Sequence, residues 1–165
     1  MDKELLKELY RKYHRELYLY LYSLCRNREL TEDLLQETFL KAILSLPDNH
    51  TNMRAWLYVV ARNLCLNHLK REKGRVSIDE IKDAPSDIQD VSEQIIVNEN
   101  KRLLFEALQS IDRVKREVLV MQYFGGLSQK QISAVLHLTP ENVRVLACRE
   151  KREIRKYMEA KGYDI

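Results

Sequence analysis

The chain has 165 residues, a formal net charge of +3, 32% charged and 45% hydrophobic residues, and only 4 Gly and 3 Pro. That length suits one ordinary domain or two small ones. The absence of any apolar run of about eighteen residues excludes a membrane-spanning class, and the segment MDKELLKELY lacks the basic-then-apolar layout of a secretory signal.

Low Gly and Pro, with abundant Leu, Glu, Lys and Arg, predict an all-α protein. Collagen-like and disordered classes are excluded by the same counts. Cys25, Cys65 and Cys148 are far apart and odd in number, so they read as free thiols in a reducing compartment rather than a disulfide frame or zinc knuckle.

Charge divides the chain. Residues 1–75 hold 14 basic and 10 acidic side chains, residues 76–100 hold 1 and 7, and residues 101–165 hold 13 and 8. Two basic blocks therefore flank an acidic connector, punctuated by Gly74 and Pro85. The expected organisation is two small helical domains, 1–75 and 91–165, joined by an acidic flexible linker at 76–90. A linker of this sign is a solvated loop, or one that repels nucleic acid or shields a basic face.

In chain order, the first helix is expected over roughly residues 3–25. Leu6, Leu9, Tyr13, Leu17, Tyr20, Leu21 and Leu24 recur at helical spacing, and Tyr10, Tyr18 and Tyr22 broaden that surface. The tyrosines suit a core and a partner interface equally. The second helix is expected to start at Thr31 as N-cap. Leu35, Phe39, Ala42, Ile43 and Leu46 line its apolar face, with Asp33, Gln36 and Glu37 together on or near the other. The third, about Met53 to Lys73, carries Trp56, Val60, Asn63, Leu64 and Asn67 along one side and a basic end at Lys70, Arg71 and Lys73.

Asp90 and Glu93 form a capping-box pattern ahead of Ile96, Leu103, Leu104, Ala107, Leu108 and Ile111. A short helix follows from Asp112 to Tyr123, then a turn at Gly125–Gly126. Ser128 and Gln131 spell another capping box. His137–Leu138–Thr139 bridges to a helix with Thr139 as cap and Pro140 in its first turn. Two capped helices across so short a joint fit a helix-turn-helix. In the second of these helices Val143, Ala147 and Ile154 face inward. Glu141, Asn142, Arg144, Arg149 and Arg152 face outward, where arginine reads guanine or clamps phosphate and asparagine bonds a base edge.

Enzymatic readings lack a constellation. His14, His50, His68 and His137 sit in separate elements. No HExxH pair, phosphate-binding glycine loop or nucleophile elbow is present. No catalytic, cofactor or metal-binding residue is assigned.

The pattern resembles the bacterial sigma-70-type RNA polymerase sigma factors of the small extracytoplasmic-function group, over nearly the whole chain. EDLLQETFLKA, residues 32–42, is similar to the segment that docks on the polymerase clamp. The resemblance implies core-polymerase binding by Asp33, Gln36, Glu37 and Phe39, the last as a packing anchor. MRAWLYVVARNLCLNHLKR, residues 53–71, is similar to the promoter-melting segment. That implies contacts of Trp56, Arg62, Asn63, Asn67, Lys70 and Arg71 with unpaired −10 DNA, where bases leaving the stack are held by pockets, aromatic faces and cations. Trp56 also suits a core position, and burial is the favoured reading of it.

Residues 107–152 are similar to the −35-reading region, implying Thr139, Glu141, Asn142, Arg144, Arg149 and Arg152 as its duplex-DNA contacts. The chain departs from the family at Val145, Leu146 and Ala147, which stand where a small polar residue, a base and a larger apolar residue are usual. The implied activity is a dissociable initiation subunit, cytoplasmic and nucleoid-associated with polymerase, or held at the membrane through an anti-sigma factor. Its implied partners are core RNA polymerase, promoter DNA (duplex at −35, single-stranded at −10) and that anti-sigma factor. The alternatives are a helix-turn-helix regulator working without polymerase, which has no use for the DLLQETF segment, and a sigma-like protein-interaction module.

Overall fold

The computed structural model describes residues 3–45, 52–73 and 99–162. All regular structure among them is helical, and the chain divides into two units, Met1–Asp87 and Ile88–Ile165. The expected connector at 76–90, the Asp90–Glu93 pattern, Leu46 and Ile96 lie outside the described residues.

In the first unit α1 (Lys3–Cys25), α2 (Arg28–Ser45) and α3 (Met53–Lys73) pack pairwise on one another. Leu17, Tyr20, Leu21 and Tyr22 of α1 meet Leu35, Phe39 and Ala42 of α2 and Leu57, Tyr58, Ala61 and Cys65 of α3 in a common buried layer. Four of the five α1 tyrosines, at 13, 18, 20 and 22, are core residues, and only Tyr10 reaches the surface. The core reading therefore holds for four of them. Ile43 is only half-buried.

Thr31 is not the cap of α2. The helix starts three residues earlier, where the Asn27 side chain accepts from the Leu30 N–H at 3.0 Å. Arg26, at φ 51, takes the left-handed conformation that ends α1 and reverses the chain. With the reversal fixed there, Asn27 reaches the free N–H groups first. Thr31, one turn inside, is buried and donates its hydroxyl to the Asn27 carbonyl at 2.7 Å.

The second unit contains α4 (Glu99–Leu108), α5 (Arg113–Tyr123), α6 (Gln129–Leu136) and α7 (Pro140–Ala160). Phe105 and Leu108 of α4, Leu119 and Met121 of α5, Ile132 of α6 and Val143 and Met158 of α7 are buried together. Phe105 and Phe124 meet edge-on at 5.6 Å between centroids. After α5 the chain turns at Gly126, whose φ of 66 favours glycine, and the Leu127 N–H bonds the Met121 carbonyl at 3.0 Å. Asp112 stands at the N-cap of α5 without a side-chain capping bond.

Candidate nucleic-acid and polymerase interfaces

α6 and α7 form the expected helix-turn-helix. Ser128 accepts from the Gln131 N–H at 3.1 Å while the Gln131 side chain accepts from the Ser128 N–H at 2.9 Å. His137, at φ 57, closes α6 with its N–H on the Ser133 carbonyl. Thr139 then caps α7, accepting from the Asn142 N–H at 3.1 Å, with Pro140 in the first turn. Every cap expected in this motif is in place.

The buried stripe of α7 is Val143, Ala147, Glu150, Ile154 and Met158. Thr139, Glu141, Asn142, Arg144, Arg149 and Arg152 are all exposed. At about 100° per residue, Arg144 and Arg149 flank opposite sides of the outward face rather than sharing its centre. Arg144 is paired with Glu141, its Nε 3.3 Å from Glu141 Oε2. Glu150 was not foreseen as a core residue. It is buried, with Lys115 of α5 at 3.4 Å.

On α2, Asp33, Gln36 and Glu37 are exposed and Phe39 is buried. Helical geometry places Leu40 and Leu44 on the same outward face as those polar residues, and they are 54% and 76% exposed. The face is thus acidic and apolar together. The sequence reading missed this by following only the Leu35–Phe39–Ala42 stripe, although Leu40 and Leu44 are themselves one turn apart. Beside it a groove of about 580 Å³ runs between α1 and α2, floored by Leu6, Tyr10, Phe39 and Ile43 and rimmed by Lys7 and Arg11. Tyr10 lies over Phe39 at 5.1 Å and stacks on His14 at 4.8 Å.

On α3, the inward residues are Ala55, Leu57, Tyr58, Ala61 and Cys65. Asn63, Asn67 and Lys70 are exposed, Trp56 is half-buried, and helical spacing brings these four onto the face away from Ala61. Half-buried Arg62 and exposed Arg71 lie to either side of them. Trp56 is therefore neither enclosed nor free.

Behind this face α3 is locked to α1. Arg54 Nε sits 3.1 Å from Glu16 Oε1 and its guanidinium lies over the Tyr13 ring, while Tyr58 packs on Tyr20 at 5.0 Å. Arg54 and Glu16 attract as charges without an aligned N–H···O bond. Burial raises the Glu16 carboxyl above its ordinary value, against the pull of Arg54, Tyr58 and Lys12. The Tyr58 hydroxyl is pushed well up, by burial first and then by the Glu16 charge.

The two units coincide with two known regions. The family model "Sigma-70 region 2" matches residues 9–75, and "Sigma-70, region 4" matches residues 101–154. The chain is 27% identical over 152 residues to the ECF RNA polymerase sigma factor SigM of Bacillus subtilis, spanning 90% of this chain and 91% of that protein. It is 25% identical over 166 residues to SigX of the same organism, spanning 95% and 85%. Its fold matches the sigma factor RpoE of Bartonella quintana, solved with the anti-sigma factor NepR, at a TM-score of 0.65 and 18% identity over 93% of this chain and 98% of that one. The chain belongs to the sigma-70-type RNA polymerase sigma factors, in the extracytoplasmic-function group. It is an alternative sigma factor, a transcription initiation factor with both the region 2 and the region 4 folds.

Proposed function

We infer that the two units divide promoter recognition between them and that polymerase supplies all the nucleotide chemistry. The outward face of α2 docks on core polymerase. Asp33 and Glu37 meet basic residues, Gln36 bonds alongside, Leu40 and Leu44 supply apolar contact, and buried Phe39 holds the face in shape from beneath. The outward face of α3 engages melted −10 DNA. Arg62, Lys70 and Arg71 meet phosphate, Asn63 and Asn67 bond base edges, and half-buried Trp56 offers a ring edge to an unstacked base.

α7 enters the −35 major groove. Thr139 fixes where the helix begins, Asn142 and Arg144 lie in the turns nearest the bases, and Arg149 and Arg152 hold phosphate farther along. Glu141 restrains Arg144. Each DNA contact is weak alone, and tethering both to one polymerase raises the effective concentration of the second. The factor works in the cytoplasm, where polymerase and chromosome are, and an anti-sigma factor restrains it by covering the polymerase-binding face.

The observation that carries this reading is the acidic-apolar face of α2, because a DNA-binding regulator working alone has no use for it. Reconstituted transcription with core polymerase tests it. The expected result is run-off product from promoters selected by the holoenzyme and none from core alone. Product independent of added protein, or no association with core on gel filtration, would overturn it.

A further inference from the structure

We propose that Val145 reads sequence directly, selecting thymine at one −35 position through the 5-methyl group of the base. The proposal rests on the reading of α7 as the helix that enters the major groove. The buried stripe of α7 runs through Val143, Ala147, Glu150, Ile154 and Met158. At about 100° per residue, Val145 falls roughly 180° from the middle of that stripe. It is the centre of the outward face, and it is 38% exposed.

A lone exposed valine is ordinary on most protein surfaces. This one is surrounded within one turn by exposed Glu141, Asn142, Cys148 and Arg149, and it lies in the early turns that approach base edges. Arg144 leaves that centre open, because it sits to one side and is tied to Glu141. The residue at the middle of the face is thus apolar, with polar groups as its frame.

The chemistry singles out one base. In the major groove the thymine methyl is the apolar feature, while cytosine presents an amine that a valine leaves without an acceptor. Valine is β-branched and nearly single-rotamer in a helix, so burying it against a methyl costs little side-chain freedom. Removing one methyl from such a contact lowers affinity roughly fourfold.

Deoxyuridine, which differs from thymidine in that methyl alone, provides the test. Holoenzyme first selects −35 duplexes from a randomised library, and each thymine of the selected site is then replaced by deoxyuridine. One replacement is expected to weaken wild-type binding roughly fourfold. Val145→Ser should bind the thymine and uracil duplexes alike, and Val145→Thr, which keeps one methyl, should fall between. 5-Methylcytosine at the same position should recover part of the wild-type preference over cytosine.

Indifference of the wild type to every replacement overturns the proposal while leaving duplex reading by α7 intact. So does an unchanged preference in Val145→Ser. Loss of transcription in Val145→Ser with that preference retained would instead mark Val145 as a protein contact. Failure to select any −35 duplex would overturn the groove-entry reading together with the proposal.

Discussion

Arg144 donates to the carboxylate of Glu141, one turn earlier on the same helix, through both Nε and Nη2. Each partner favours the other's charge. The Arg144 hydrogen bond holds the Glu141 carboxyl below its ordinary range, and Glu141 raises Arg144 further. The fork that suits guanine O6 and N7 is thus occupied by a carboxylate when the protein is free. On the proposed reading of α7, matched DNA displaces that carboxylate and a wrong base leaves it in place.

Glu141→Gln is therefore expected to raise affinity for all duplexes a fewfold and to narrow the gap between matched and mutated −35 sites. Arg144→Ala should cost about tenfold in discrimination at one base pair. Arg149→Ala should weaken all duplexes similarly and reduce the salt slope by about 1. Binding titrations of the three variants across a salt series check this. Equal losses on matched and mutated duplexes for Arg144→Ala would count against base reading by that residue.

The α2 face proposed to dock on polymerase makes a separate prediction. Asp33 and Glu37 are exposed, so reversing both to Lys should leave helicity and unfolding midpoint unchanged. Affinity for core polymerase should fall about tenfold or more, chiefly in the association rate and most steeply at low salt. Leu40→Ala with Leu44→Ala should instead speed dissociation, since apolar contact forms after the encounter. Core titration by fluorescence anisotropy separates the two effects.

The α3 face predicts a defect at a later stage. Arg62→Ala, Asn67→Ala and Lys70→Ala should each lower promoter opening several-fold while holoenzyme assembles normally. Permanganate reactivity of −10 thymines reports the first, and gel filtration with core reports the second. Normal opening by all three variants would remove α3 from the melting step.

Legibility in the sequence followed locality. Ser128, Gln131, Thr139 and Pro140 were readable because a cap is decided within four residues, and all are found where expected. Asn27 was missed in favour of Thr31 because both residues cap well. What chose between them is the positive φ at Arg26, which nothing in an arginine announces. Leu40 and Leu44 were missed because one periodic stripe had already accounted for α2. Glu117 and Glu150 carry no signal of burial in their spacing, yet both are buried, and the cation 3.4 Å from Glu150 comes from another helix. Pairings across helices are tertiary facts without a spacing to read.

His137 carries a stability prediction. It holds φ 57 at the end of α6, a conformation unfavourable for a residue with a Cβ, and its exposed ring is not needed for packing. His137→Gly should stabilise the second unit by about 1 kcal/mol, less the extra chain entropy that glycine gains when unfolded. Urea unfolding should show a higher midpoint, and −35 affinity should stay as it is. A lower midpoint would mean that the imidazole holds the bridge together.

Glu16 gives the first unit a pH dependence whose sign can be worked out. Its carboxyl is raised from the ordinary 4.5 because burial penalises the charge more than Arg54, Tyr58 and Lys12 favour it. The folded chain therefore keeps this proton at pH values where the unfolded chain has lost it. Stability from this group is fully present below the unfolded value and falls as pH rises through the folded one. Glu16→Gln removes the titration but keeps the size of the side chain. The melting temperature of the variant, minus that of the wild type, should thus be flat below pH 4.5, climb as pH increases above it, and level off once the folded carboxyl has ionised. Trp56, the chain's single tryptophan, lies on α3 of the same unit, so its fluorescence follows this transition in the full-length protein. A difference that moves the opposite way, with the wild type gaining on the variant as pH rises, would show that attraction to Arg54 outweighs the cost of burying the carboxylate.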